Sequence, residues 1–150
     1  RKSTALIGFL LVVMIWGAFM AGLRAGTAHS TFPTMSGYWI PPGLFDLSPW
    51  WVNFFENGTT IQFVHRWLAK LLFLGVLVMA WRAPRSETLA AAAIAFFQLG
   101  LGIATILSGV SIPIATLHQA GAVLLLTALI VVRQRAMPSP QRPVSAILRG

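Results

Sequence analysis

Four long apolar runs alternate with polar segments along the chain. The runs cover residues 4–23, 59–81, 88–107 and 112–132, and each holds about 20 residues, the length that a helix needs to cross a bilayer. The second run contains His65, Arg66 and Lys70, and the fourth contains His118. Because backbone polar groups in lipid must bond within their own segment, the pattern predicts four transmembrane helices.

The segments between these runs differ strongly in length. Residues 24–58 hold four prolines and three tryptophans, a composition typical of short turns and interfacial helices at a membrane surface. Residues 108–111 leave room only for a tight turn, so helices three and four form an antiparallel hairpin. Residues 133–150 hold three prolines and four arginines, and we expect a disordered tail there.

The fold class that follows is all-α: a membrane four-helix bundle with a long extracytoplasmic loop between helices one and two. Residues 1–150 are expected to form one domain. Because the chain opens at Arg1 rather than Met, we expect it to begin inside a longer polypeptide.

Composition and charge place the chain in a bilayer. Hydrophobic residues make up 57% of it, charged residues only 9%, and there is no cysteine. The net charge of +8 would suggest a nucleic-acid partner in a soluble protein, but here the cations flank apolar runs, so we expect membrane lipid and no nucleic acid. By the positive-inside rule both termini lie on the cytoplasmic or matrix side of an inner membrane, because nearly all lysines and arginines outside the runs fall on that face.

Two histidines inside the runs are the strongest candidates for chemistry. His65 and His118 each lie about six residues, roughly 9 Å, below the same membrane face, on different helices. Two imidazoles at one level suit a haem iron bound from both sides, whereas zinc or non-haem iron would require ligands that the distant Asp46, Glu56 and Glu87 are poorly placed to give. Hydrogen-bonded structural histidines, in a transporter or structural bundle without a cofactor, remain the alternative.

Polar neighbours of these histidines complete the candidate site. Arg66, Gln62 and Gln119 are predicted to contact the cofactor, and Arg66, Lys70 or Arg24 could neutralise the haem propionates. His29 lies in the long loop and is expected to be solvated. The predicted site thus has His65 and His118 as metal ligands and no assigned catalytic residue.

Three sequence segments carry a family resemblance. Residues 21–45 (AGLRAGTAHSTFPTMSGYWIPPGLF), 49–69 (PWWVNFFENGTTIQFVHRWLA) and 115–126 (ATLHQAGAVLLL) together resemble the carboxyl-terminal half of haem A synthase, an oxidase-assembly enzyme of bacteria and mitochondria. The resemblance implies two similar four-helix halves, with an essential glutamate in the amino-terminal half three residues before a histidine. Gln62 stands at that spacing before His65, as expected of a cofactor half.

The resemblance also implies a function. The family oxidises a methyl group of haem O to the formyl group of haem A, and its carboxyl-terminal half holds haem b through two histidines, matched here by His65 and His118. The expected partners are a substrate-binding amino-terminal half, or a second copy, and haem O as substrate. The other function kept open is a non-catalytic membrane haem carrier or oxidase assembly factor.

Overall fold

The computed structural model describes residues 2–137, and this part of the chain is helical apart from its loops. It contains five α-helices: α1 (Lys2–Gly22), α2 (Asn53–Glu56), α3 (Gly58–Arg82), α4 (Ser86–Leu107) and α5 (Ile112–Arg135). Two short 3₁₀ helices, Ala25–Thr27 and Trp50–Val52, lie in the loop between α1 and α3. The helices α1, α3, α4 and α5 are long and apolar enough to cross a membrane, so the chain is an integral membrane protein with the predicted all-α bundle fold.

The helix ends follow local chemistry. The Asn57 side chain accepts hydrogen bonds from the backbone amides of Thr59 and Thr60 and so caps α3. The helix α5 continues to Arg135, because no proline follows Pro113 in its first turn until residue 138. Basic residues also suit the last turn of a helix. The predicted start of the tail at residue 133 is therefore wrong, and the predicted disorder of residues 138–150 lies outside the described residues.

The four long helices form a ring in which each packs on two neighbours. The neighbouring pairs are α1 with α3, α3 with α4, α4 with α5, and α5 with α1. Consequently α3 and α5 face each other diagonally across the centre. Ser108, Gly109 and Val110 make the tight turn between α4 and α5, with both Gly109 and Val110 at positive φ.

The two ends of this bundle are built differently. We call the end that holds Lys2 and Arg135 the tail end, and the end that holds the long loop the loop end. The buried core lies in the tail half of all four helices, and its residues are Leu10, Val13, Leu72, Val76, Ala80, Ala91, Ala92, Ala95, Leu125, Leu129 and Val132. Alanines on α4 let its neighbours approach closely, as small residues do between helices in lipid.

Two asparagines hold the second part of the long loop. Asn53 is fully buried, and its side chain bonds the backbone of Leu47 in both directions, at 3.0 Å and 2.8 Å. Asn57 donates to the Gly43 carbonyl at 2.8 Å as well as capping α3. The loop is thereby fixed to the start of α3, while Trp39, Trp50 and Trp51 remain more than half exposed on its surface.

Candidate functional site

A large cavity occupies the loop half of the bundle. Its volume is about 870 Å³, within the range of pockets that hold cofactors and small ligands. Most of its lining is apolar and comes from α1, α3, α4 and α5, with the 3₁₀ turn after α1 and the α4–α5 turn closing the loop end. The polar and charged residues that line it are Arg24, Thr27, His65, Arg66, Lys70, Gln98, Thr105, His118 and Gln119.

His65 enters this cavity from α3. It lies seven residues into the helix, about 10 Å from the loop end. Gly17 of α1 faces the imidazole so closely that a Cβ atom there would lie 3.4 Å from His65 Cε1. Since 3.4 Å is an ordinary van der Waals distance, the ring packs directly against this face of α1.

His118 enters from the diagonally opposite helix α5. It lies six residues into α5, so its depth matches that of His65 to within about one residue. Gly102 of α4 faces this ring even more closely, because a Cβ atom there would lie 3.0 Å from His118 Cε1. The amide of Gln98, one turn earlier on α4, donates to the His118 backbone carbonyl at 2.9 Å.

The buried nitrogens of both rings lack partners. Nδ1 of His65 and Nδ1 of His118 are buried and make no hydrogen bond within the described part of the chain. Two of the other buried atoms in the same condition, Arg66 Nε and Gln98 Oε1, also lie on residues that line the cavity. Since buried polar atoms in proteins are nearly always paired, this cluster fits a site whose remaining partners belong to a bound group.

The donor set fits haem better than a multidentate metal site. Within residues 2–137 no three His, Cys, Asp or Glu side chains converge. Two neutral imidazoles on opposite sides of an apolar cavity are the ligands that a six-coordinate haem iron takes, and the surrounding side chains suit an apolar macrocycle. The residues present therefore fit the predicted cofactor, and ligation by His65 and His118 stays a prediction.

Arg66 holds the loop as well as lining the cavity. Its Nη2 donates to the His29 carbonyl at 2.8 Å, and its Nη1 donates to the carbonyls of Thr31 and Thr34 at 2.9 Å and 3.3 Å. Only its Nε remains unpaired and buried. Arg66 was one of three residues that the sequence offered to neutralise a propionate, and the structure gives its guanidinium a backbone-binding role that no local pattern could reveal.

Gln62 lies one turn before Arg66 and supports the same segment. Its amide donates to the carbonyls of His29 and Gly26, at 2.9 Å and 3.5 Å. It is fully buried and is not among the residues that line the cavity. Its predicted contact with a cofactor remains untested, while its contact with the loop is direct.

His29 is half-buried rather than solvated. Its ring forms hydrogen bonds with the hydroxyls of Ser36, at 2.9 Å, and Thr59, at 3.3 Å. Burial, and then the positive charge of Arg66, lower the pKa of the His29 imidazole below its ordinary value of 6.5. The neutral ring is therefore the form that this loop conformation favours.

The remaining predicted residues lie at the edges of the cavity. Arg24 lines it at the loop end, where the backbone adopts a left-handed conformation with φ 51°. Gln119 lines it next to His118, although most of its side chain is exposed. Lys70 lines it near mid-membrane, and its Nζ lies 4.5 Å from the ring centroid of Trp67.

Fold and site together define a polytopic helical membrane protein whose bundle encloses a histidine-flanked cavity. Residues 1–130 match a family model described as "Cytochrome oxidase assembly protein" (COX15-CtaA). The chain is 44% identical over 152 residues to "Heme A synthase" of Rhodospirillum centenum, covering 95% of this chain. It is 43% identical over 131 residues to "Heme A synthase" of Nitrosomonas eutropha, covering 82% of this chain.

A human protein is also similar to this chain. "Heme A synthase COX15" of Homo sapiens is 40% identical over 135 residues, covering 85% of this chain. The chain belongs to the haem A synthase family, as its sequence motifs predicted. The matches span 40%, 37% and 33% of the lengths of these three relatives, and no solved structure matches the chain.

Proposed function

We propose that this chain is the haem b-binding half of a haem A synthase, with His65 and His118 as the two axial ligands. The observation that carries the proposal is the placement of these imidazoles: at one depth, on diagonally opposed helices, lining one cavity, each with an unpaired buried nitrogen. The family membership supports the choice of haem.

In this proposal the chain supports, but does not itself perform, oxidation of the haem O methyl group to the formyl group of haem A. Bound haem b supplies one-electron redox chemistry. The three carboxylates of the chain, Asp46, Glu56 and Glu87, do not line the cavity, so no carboxylate acid–base group is present there. The substrate site and its proton transfer therefore belong to a partner half, with this oxidoreductase module moving electrons.

The residues of the chain have separate tasks in this scheme. His65 and His118 would hold the iron, while Gly102 leaves space for the His118 ring and Gly17 packs against the His65 ring. Arg66 and Gln62 keep the loop over the mouth of the cavity. Arg24 is the cation best placed at the loop end to neutralise a propionate, and we propose that this end faces the extracytoplasmic side.

Replacing the two histidines tests the proposal. We expect the purified wild-type protein to contain haem with a reducible six-coordinate absorption spectrum, and we expect His65→Ala and His118→Ala each to lose the bound haem or its six-coordinate signature. His29→Gln, a histidine outside the cavity, is the matched control and should retain both. Unchanged haem content and spectrum in both alanine variants would show that the ligand assignment is wrong.

A haem carrier would bind the same group but release it. Incubating the wild-type protein with excess apomyoglobin separates the two functions, because a cofactor held by two buried ligands should transfer slowly. Rapid and complete transfer would favour the carrier.

A further inference from the structure

Lys70 lies at the centre of a membrane-spanning helix. It is the middle residue of α3, with Gly58 and Arg82 each twelve residues away, about 18 Å along the helix axis. A lysine on its four-carbon stem cannot bring its ammonium group from there to either membrane surface. An ionisable group at this depth is costly and needs a partner.

No carboxylate side chain of this chain can be that partner. There are only three: Asp46 and Glu56 lie in the loop at the loop end, and Glu87 lies at the tail end, 3.7 Å from Arg135. All three are therefore separated from Lys70 by about half the thickness of the bundle. A second copy of the chain carries the same residues at the same depths and cannot supply the missing charge either.

The environment of Lys70 shows where the counter-charge would sit. Its Nζ stacks on Trp67, which is 43% exposed and begins the outward row of α3 formed with Leu71, Leu74 and Val78. The amine thus lies where the rim of the cavity meets the outer surface of the bundle. A cation–π contact with Trp67 offsets only part of the cost of this position.

We propose that Lys70 forms an ion pair with an aspartate or glutamate on a transmembrane segment of the partner half, which packs on the outward row of α3. The identity of the partner rests on the proposed function, whereas the missing charge does not. A haem propionate is the weaker candidate, because the Lys70 ammonium stacks on the outward-facing Trp67 and Arg24 lines the cavity at the loop end. The row Trp67, Leu71 and Leu74 then supplies the apolar contact around the ion pair.

The lack of cysteine in the chain allows a direct test. Leu74→Cys places one thiol on this row, and Leu124→Cys places one on an equally exposed position of α5 that does not line the cavity, at 54% and 53% exposure. Both are made in the complete protein, with both halves present and any other cysteines replaced, and labelled in native membranes with a thiol-reactive benzophenone. Photo-cross-linked segments are identified by proteolysis and mass spectrometry.

We expect position 74, and not position 124, to cross-link to a transmembrane segment of the partner half that contains a carboxylate. Adding Lys70→Met should lower the yield at position 74 about tenfold, and Lys70→Arg should preserve most of it. Charge reversal provides the second readout: Lys70→Glu should disrupt the cross-link, and changing the identified carboxylate to lysine should restore it.

Three results would overturn the proposal. The first is a position-74 yield that does not respond to Lys70→Met, and the second is cross-linking to lipid alone. The third is a Lys70→Met variant that loses haem while the cross-link persists, because the charge would then belong to the ligand in the cavity. Haem content is measured in every sample, so loss of haem from the His65→Ala control but not from Lys70→Met keeps the two proposals distinguishable.

Discussion

Gly102→Ala tests whether the space beside His118 matters for binding. The new Cβ would lie 3.0 Å from His118 Cε1, whereas carbon atoms pack best at about 3.5–4.0 Å. The imidazole must therefore retreat by a few tenths of an ångström, or the helices must separate. Overpacking of this kind costs about 1–3 kcal/mol, which corresponds to about 5- to 150-fold weaker binding of a group held by that ring.

The assay is haem retention. Purified Gly102→Ala protein is titrated with a competing apo-haem protein, and the reduced absorption spectrum and midpoint potential are recorded alongside. Gly100→Ala on the same helix is the matched control, because a Cβ atom at that position meets nothing within 4 Å. Gly17→Ala should have a smaller effect than Gly102→Ala, since its closest approach to His65 is 3.4 Å. If Gly102→Ala and Gly100→Ala retained haem equally and had identical spectra, the packing argument would be refuted.

Four further outcomes follow from the contacts of individual side chains. Gln98→Leu removes the donor to the His118 carbonyl. We expect it to shift the haem midpoint potential, measured by spectroelectrochemistry, or to let carbon monoxide bind the ferrous iron. An unchanged potential without carbon monoxide binding would contradict a role of Gln98 in positioning His118. Arg66→Met frees the carbonyls of the loop and should speed proteolysis within residues 24–57, with Lys70→Met as the control; equal cleavage rates would contradict the clamp. Asn57→Ala removes a helix cap and should destabilise the protein by about 0.5–2 kcal/mol in a detergent unfolding titration. An unchanged unfolding midpoint would show that the cap does not contribute to stability. Because the pKa of His29 is lowered in the folded loop, its protonation opposes that fold. Hydrogen-exchange protection factors in the loop, which are corrected for the intrinsic pH dependence of exchange, should therefore fall as the pH drops below about 6.5. The same fall in His29→Gln would show that another group is responsible.

The sequence predicted the four spans well because each rests on a local property, an unbroken apolar run. The ends of the helices were predicted less accurately. The α5 helix continues past the last apolar residue to Arg135, because basic residues at a membrane surface extend a helix as readily as they end a span. The start of α4 at Ser86 depends on the Thr88 hydroxyl, which accepts from the Arg85 amide at 2.9 Å, a contact that hydropathy does not reveal.

The candidate site was likewise predicted only in part. Counting residues from the helix starts was sufficient to predict that His65 and His118 share a depth, because the rise of a helix is fixed. The role of Arg66 could not be predicted, since its acceptors are carbonyls more than thirty residues away in a loop without periodicity. The close approach of Gly102 to the His118 ring could not be predicted either, because it joins two different helices.

The division of the bundle into a filled tail half and a hollow loop half has a consequence for biogenesis. Six of the eleven core side chains do not line the cavity, and Leu6 and Ile7 of α1 pack against the same core. The six are Val76, Ala80, Ala91, Ala92, Leu129 and Val132. A newly inserted chain can therefore assemble its helices first and bind its prosthetic group afterwards, with the rearrangement confined to the loop end of the cavity. Such an apoprotein would stay folded in the membrane when iron is scarce, instead of unfolding and being degraded.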